Sequence, residues 1–291
     1  MHTTTSPEAR LQVATRAWGV ECSVALNAIY SMWYRDVLRF SRDRSRIASS
    51  LGQPVLFLFI VGVGLSPSMG RLGGQRGINY VEFIFPGIIA MSVLFAAVFS
   101  AISTVWDREF GFLKEVLVAP VPRWAVAVGK ALGGSTTAVF QGALLLLFAP
   151  LVGVGLTPLS VVRLLAVMFL IAFALSSMGL AIAARMKSVQ SFPLVLNFLM
   201  MPMFFLSGAL FPLGNAPAWL TVLTMVNPIT YGVDAMRQII LSHAGVPADV
   251  LAQLGIGLLG HTLNLLADLS FVAAFAALMI TLAQRAFSMQ E

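Results

Sequence analysis

Six long apolar runs, near residues 49–66, 83–105, 126–149, 159–184, 191–211 and 262–283, constrain this chain more than anything else in it. About 20 apolar residues in α-helix cross a hydrocarbon core of roughly 30 Å. In lipid every backbone polar group has to be satisfied internally, which restricts what can span. The runs therefore predict an all-α integral membrane protein with six transmembrane helices. Composition agrees: 58% of the residues are hydrophobic and 10% charged, where a soluble domain carries about 25% charged residues. The first run opens on Gln53 and Pro54, and the fifth holds Pro193 and Pro202. The carbonyls that these prolines free need neighbouring protein or water.

Orientation follows from the cations, because cytoplasmic loops are enriched in Lys and Arg. With both ends inside, only Arg71, Arg76, Arg163 and Arg237 of the 18 Lys and Arg fall on the outer side. An odd number of spans would force a basic cluster to the wrong side. The expected setting is a bacterial cytoplasmic (inner) membrane, multi-pass, with both termini cytoplasmic. Residues 1–47 contain no apolar run followed by a small-residue cleavage site, so the first span is expected to stay in the mature protein. The net charge of +6 reflects membrane topology, and no nucleic-acid partner is expected.

Four segments follow. Residues 1–23 form a cytoplasmic tail, 24–47 an amphipathic interfacial helix, 48–285 the six-helix membrane domain and 286–291 a C-terminal tail. In the second segment Leu26, Tyr30, Trp33, Val37 and Phe40 recur at helical spacing, with Arg35, Arg39, Arg42 and Arg46 opposite them. Such a helix lies at headgroup depth, against membrane lipid. On the outer side, Ala216 to Val226 and Ile229 to Leu241 read as two short helices. Pro217 and Pro228 sit at first helical positions, and Asn227 is the cap before the second.

Catalytic and nucleotide motifs are missing. A Walker A loop needs Gly, four residues, then Gly-Lys and Ser or Thr. Gly129-Lys130 is followed by Ala131 and has Trp124 where the first Gly belongs. There is no HExxH and no GxSxG, and the single cysteine, Cys22, excludes a disulfide framework. No catalytic residue, no metal site and no cofactor in this chain are expected. The most suggestive polar group is His261, Asn264 and Asp268, on one face at the outer end of the last span. An acid within a span is a functional-site hypothesis that needs a partner, and Arg163 at the outer end of the fourth span is the candidate. A membrane-embedded lipid-modifying enzyme using Asp268, His261 and Glu82 is the competing reading, and a passive channel or secondary carrier is a third.

Four strings narrow the choice: Tyr80 to Gly87 (YVEFIFPG), Asp107 to Arg123 (DREFGFLKEVLVAPVPR) with Gly129-Lys130 after it, Phe204 to Pro212 (FFLSGALFP), and Asn227 to Arg237 (NPITYGVDAMR). In order and spacing, over about residues 25–285, they resemble the permease subunits of type-2 ABC exporters, the family that includes the daunorubicin-resistance and nodulation-factor export permeases.

The resemblance implies a translocation subunit that couples to a separate ABC ATPase subunit, which would bind the Mg-ATP. It also implies a second permease copy, in a homodimer or a heterodimer with a related chain. The implied cargo is a drug-like, lipid-linked or saccharide compound. The coupling helix maps to Glu109, Gly111, Phe112, Leu113, Lys114, Glu115, Val116 and Leu117, an apolar side with charged flanks that suits a groove on a soluble partner. The interfacial helix maps to the segment with Trp33, Arg35, Arg39 and Arg42, and the outer re-entrant helices to Ala216–Leu241. There Asp234 and Arg237 are one turn apart and pair structurally. The expected translocation path or gate is lined by Phe57, Phe85, Phe95, Met200, Met203, Phe204 and Asp268.

Overall fold

The computed structural model describes residues 7–69, 71–72, 78–110, 121–186, 188–212, 217–243, 257–258, 261–262 and 264–288. The chain is mostly helical. Helix α1 (Pro7–Arg42) is followed after Asp43 by α2 (Arg44–Phe57), which runs through a π-helical turn (Leu58–Val63) into α3 (Gly64–Met69). A minimal antiparallel ladder, β1 (Arg71–Leu72) with β2 (Ile78–Asn79), leads into α4 (Tyr80–Ser100) and α5 (Ile102–Glu109). Then come α6 (Arg123–Leu146), α7 (Pro158–Ala183), α8 (Ser191–Phe205), α9 (Ala218–Val226) and α10 (Pro228–His243). A second ladder, β3 (Gly257–Leu258) with β4 (His261–Thr262), precedes α11 (Leu265–Ser288).

Four stretches are long and apolar enough to cross a membrane: Ile47–Ser68, Tyr80–Glu109, Pro158–Ala183 and Leu265–Phe287. They coincide with the first, second, fourth and sixth apolar runs. The third run is the 24-residue helix α6, long enough at about 36 Å but diluted by Lys130, Ser135, Thr137 and Gln141, all buried against protein. The fifth is α8, an apolar helix of only 15 residues.

Burial separates the spans into two kinds. In Tyr80–Glu109 and Pro158–Ala183, 67% and 61% of the apolar stretch is buried, against 17% in each of the other two. Helix α4 is the axis: α2, α6, α7, α8 and α10 all pack on it. With no hydrophobic drive between helices in lipid, close backbone approach supplies the packing. Gly87 of α4 lies so near Ala209 that an added Cβ would sit 2.6 Å from its carbonyl oxygen. The outer helices instead present apolar side chains outward, including Leu56, Ile60, Leu194, Phe198 and Leu278.

Helix α1 packs along α6 rather than standing alone. Gly129 and Gly133, one turn apart, leave room for Ile29, Met32 and Asp36, where a Cβ on Gly129 would meet the Ile29 oxygen at 2.8 Å. Trp33 Nε1 donates to Thr136 Oγ1 at 3.0 Å, and Phe40 meets Phe140 edge-on. This sets the rotation of α1. Ala25, Ala28 and Phe40 are buried while Leu26 and Tyr30 face outward. The apolar stripe expected from periodicity is thus split between a protein-facing side and an outward-facing side. The glycines of α6 select the small residues for the contact.

Candidate functional site

The four strings meet in two junctions at opposite ends of the α4–α5 axis. Phe83 and Asp107 are 24 residues apart along nearly continuous helix, about 36 Å.

The first junction gathers the start of α4, the turn after α8 and the α9–α10 pair. After α8 the chain turns through Ser207 and Gly208, whose φ of +68° is a left-handed conformation suited to glycine. The buried Arg237 side chain donates Nη2 to the Gly208 carbonyl at 2.7 Å and lies 4.1 Å over the Phe83 ring. A guanidinium over a desolvated ring adds cation–π attraction to that hydrogen bond. Asn227 holds the same turn from the other side. Its Nδ2 donates to the Met203 carbonyl at 2.6 Å while its Oδ1 accepts the Ile229 N–H at 3.2 Å. The cap expected at Asn227 is present.

Asp234 lies close enough to Arg237 for Coulombic attraction. Gln238 Nε2 then bridges two buried carboxylates, Asp234 Oδ2 at 3.0 Å and Asp268 Oδ2 at 2.9 Å. The partners of Asp268 are therefore Gln238 and Asp234 of α10, and the expected Arg163 is exposed on α7. Sequence spacing within single helices could not reveal Gln238, which reaches Asp268 across 30 positions. Glu82, named for an enzyme reading, accepts the Asn79 N–H at 3.3 Å and serves the start of α4.

The second junction surrounds the end of α5. Asp107 Oδ2 accepts from Lys130 Nζ at 2.7 Å and Arg35 Nη2 at 2.8 Å, joining α5, α6 and α1. Its neighbour Arg108 donates Nη1 to the Ala184 and Met186 carbonyls at 2.9 and 3.2 Å, at the C-terminal end of α7. That placement satisfies carbonyls that the helix leaves free and suits the negative end of its dipole. Glu109 Oε2 accepts the Val189 N–H at 3.3 Å, just before α8. Three consecutive side chains therefore tie α5 to α1, α6 and the α7–α8 connection. Arg39, expected on the interfacial helix, lies 5.9 Å over the Trp106 ring, and Arg42 is exposed at the end of α1.

Lys130 was legible in sequence as half of a failed nucleotide motif and as part of the second string. Its role as the buried counter-ion of Asp107 depends on the fold. Of the coupling-helix residues, Gly111, Phe112, Leu113, Lys114, Glu115, Val116 and Leu117 lie outside the described residues; Glu109 lies inside them. The expected path residues divide. Phe85, Met200, Phe204 and Asp268 are buried within the single chain. Phe57 packs edge-on against Phe204 at 6.5 Å, joining α2 to α8, with Met203 partly buried beside the core. Phe95 lines a cavity of about 520 Å³ between α1, α2, α4 and α6.

With several helices long and apolar enough to cross a membrane, the chain is a multi-pass helical membrane protein. The chain matches the ABC-2 type transporter family over residues 27–241, and it is a member of that family. Its relatives include Nodulation protein J of Rhizobium leguminosarum bv. trifolii, 28% identical over 77% of this chain and 85% of that protein. The inner membrane transport permease YadH of Escherichia coli (strain K12) is 30% identical over 76% of this chain and 85% of its own length. The transport permease ycf38 of Cyanophora paradoxa is 27% identical over 73% of each. The chain is a membrane permease subunit of an ABC exporter.

Proposed function

We propose that the chain crosses a bacterial inner membrane six times, with both termini in the cytosol, and that a separate ATPase subunit drives it by pushing on residues 109–117. The observation that carries this reading is the second junction. The segment that would meet the motor begins at Glu109, directly after Asp107 and Arg108, whose side chains hold α1, α6 and the end of α7. A force arriving at Glu109 is passed on through these side chains to α1, α6 and the α7–α8 connection. Mg-ATP is bound by the partner, whose closure biases two conformations of the permease, and the chain itself breaks no bond.

The shorter helix α8 completes a span with the turn at Gly208, and α9 and α10 re-enter the outer leaflet. A second permease copy, identical or related, covers the outward apolar faces of α2 and α8 that carry Leu56, Ile60, Leu194 and Phe198. The path forms between the two copies, and Phe57 and Met203, partly buried beside these faces, are the expected lining residues nearest to it. The cargo is a drug-like, lipid-linked or saccharide compound.

The test combines topology with coupling. In a Cys22→Ser background, Leu113→Cys and Gln290→Cys are expected to react with an impermeant thiol reagent only from the cytosolic side. Glu115→Arg is expected to insert normally and to lower permease-stimulated ATP hydrolysis by the copurified motor. Labelling from the periplasmic side, or full stimulation by Glu115→Arg, refutes the docking assignment.

A further inference from the structure

We infer that the cavity between α1, α2, α4 and α6 is a binding site for an elongated amphiphile. Its ligand carries an anionic head and a neutral hydrogen-bonding group at the far end of an apolar body. This rests on the proposed orientation, which puts the mouth at the cytosolic leaflet.

The cavity holds about 520 Å³, within the range of small-molecule sites. Its extent along α4 and α5, from Ser92 to Trp106, is 14 residues, or about 21 Å. Phe95, Phe99 and Ile102 give the cavity an aromatic, apolar wall; of the polar residues on the same lining, Ser50 and Thr137 already donate to the Ile47 and Gly134 carbonyls, and Gln53 is exposed. The far end is polar. Ser92 is 3% exposed and its hydroxyl has no hydrogen-bond partner among the described residues. Ser92 lines the cavity; Gln141 is 5% exposed and its side chain also lines it. Helices α4 and α6 touch at Val93 and Gly142, where an added Cβ would lie 3.0 Å from the valine methyl. The two helices run antiparallel, so Ser92 and Gln141, one residue before each, lie within about 3 Å of the same level.

Buried polar groups without partners are costly. A hydroxyl and a carboxamide converging on the end of an apolar cleft select a ligand that satisfies both. At the mouth, Arg39 lies over Trp106 and has no carboxylate partner among the described residues. Asp43, the acid beside it, already accepts from Ser45 Oγ at 2.8 Å. This cation sets the sign of the head group, and the separation of the two ends sets the length. A ligand with a plain alkyl tail leaves Ser92 unsatisfied, so the far-end polar group discriminates.

The experiment uses the full chain in nanodiscs of phosphatidylethanolamine and phosphatidylglycerol, without the ATPase. The probe is ω-hydroxypalmitate bearing a mid-chain diazirine, with the same probe lacking the ω-hydroxyl as comparison. Photolabel is expected on the segment from Met91 to Ile102. Gln141→Leu is expected to lower labelling about tenfold, the scale of lost hydrogen bonds to a buried amide. Ala96→Phe, which fills the cavity from its wall, is expected to do the same, and the probe without the hydroxyl to label about tenfold less.

Label spread over outward residues such as Leu194 and Phe198, indifferent to both variants, overturns the proposal. So does equal labelling by the two probes. Adding the motor and ATP then identifies the source: label that clears on turnover marks a cargo-like occupant, and label that persists marks a resident membrane lipid. Both results keep the site. Because labelling is measured without the motor, its failure leaves the exporter reading standing.

Discussion

Replacing Asp107 by asparagine tests the second junction most directly, because its two cations differ in how much they depend on it. Lys130 has 2% of its side chain exposed and its one ion pair among the described residues is with Asp107 at 2.7 Å. Arg35 is 32% exposed and keeps Asp36 at 3.5 Å. Removing one partner of a buried pair costs about 3–5 kcal/mol, since the charge left behind stays desolvated. Nearly all of that cost falls on Lys130. Lys130→Met leaves Asp107 its bond to Arg35 at 2.8 Å, so only one charge-assisted hydrogen bond is lost, about 1.5–3 kcal/mol, partly offset because no ammonium has to be buried.

The expected order of stability is therefore wild type, Lys130→Met, then Asp107→Asn. The double variant is expected to recover at least about 1.4 kcal/mol relative to Asp107→Asn alone, because replacing both charges removes the orphan. The assay is SDS-induced unfolding of purified protein in mixed micelles, followed by near-ultraviolet circular dichroism. A double variant no more stable than Asp107→Asn refutes the argument that Lys130 is held by that carboxylate.

Two further outcomes follow from the packing. Gly129→Val is expected to lift α1 from α6, because the new Cβ meets backbone at Ile29; bridging by a short bifunctional thiol reagent between cysteines placed at Phe40 and Phe140, which meet edge-on, should then be slower, and unchanged crosslinking refutes the close approach. Arg237→Met is expected to cost about 2–4 kcal/mol, from an unsatisfied Gly208 carbonyl and the lost contact with Phe83. It should reduce the yield of folded permease in the same micelle assay, while Arg237→Lys recovers only part, because an ammonium lacks the planar fork.

The lipid-crossing runs were legible because length and apolarity are local properties. Periodicity failed to give the rotation of α1, since Leu26 and Ala25 are both apolar and only the glycines across the contact decide which one is buried. The functional strings were visible as strings, yet their partners were not. Gln238 joining Asp268, and Lys130 joining Asp107, are contacts between helices that sequence separation hides. Likewise the cap at Asn227 was readable because its acceptor bonds two residues on, while the donor side of the same amide reaches Met203 on another helix.

At the end of α5, successive residues point about 100° apart around the helix, so Asp107, Arg108 and Glu109 grip their surroundings on three sides like the jaws of a chuck. A rod held that way resists being screwed, because any twist loosens every jaw together. It can still be driven lengthwise with the parts it grips. Turning the rod would strain all three sets of bonds at once.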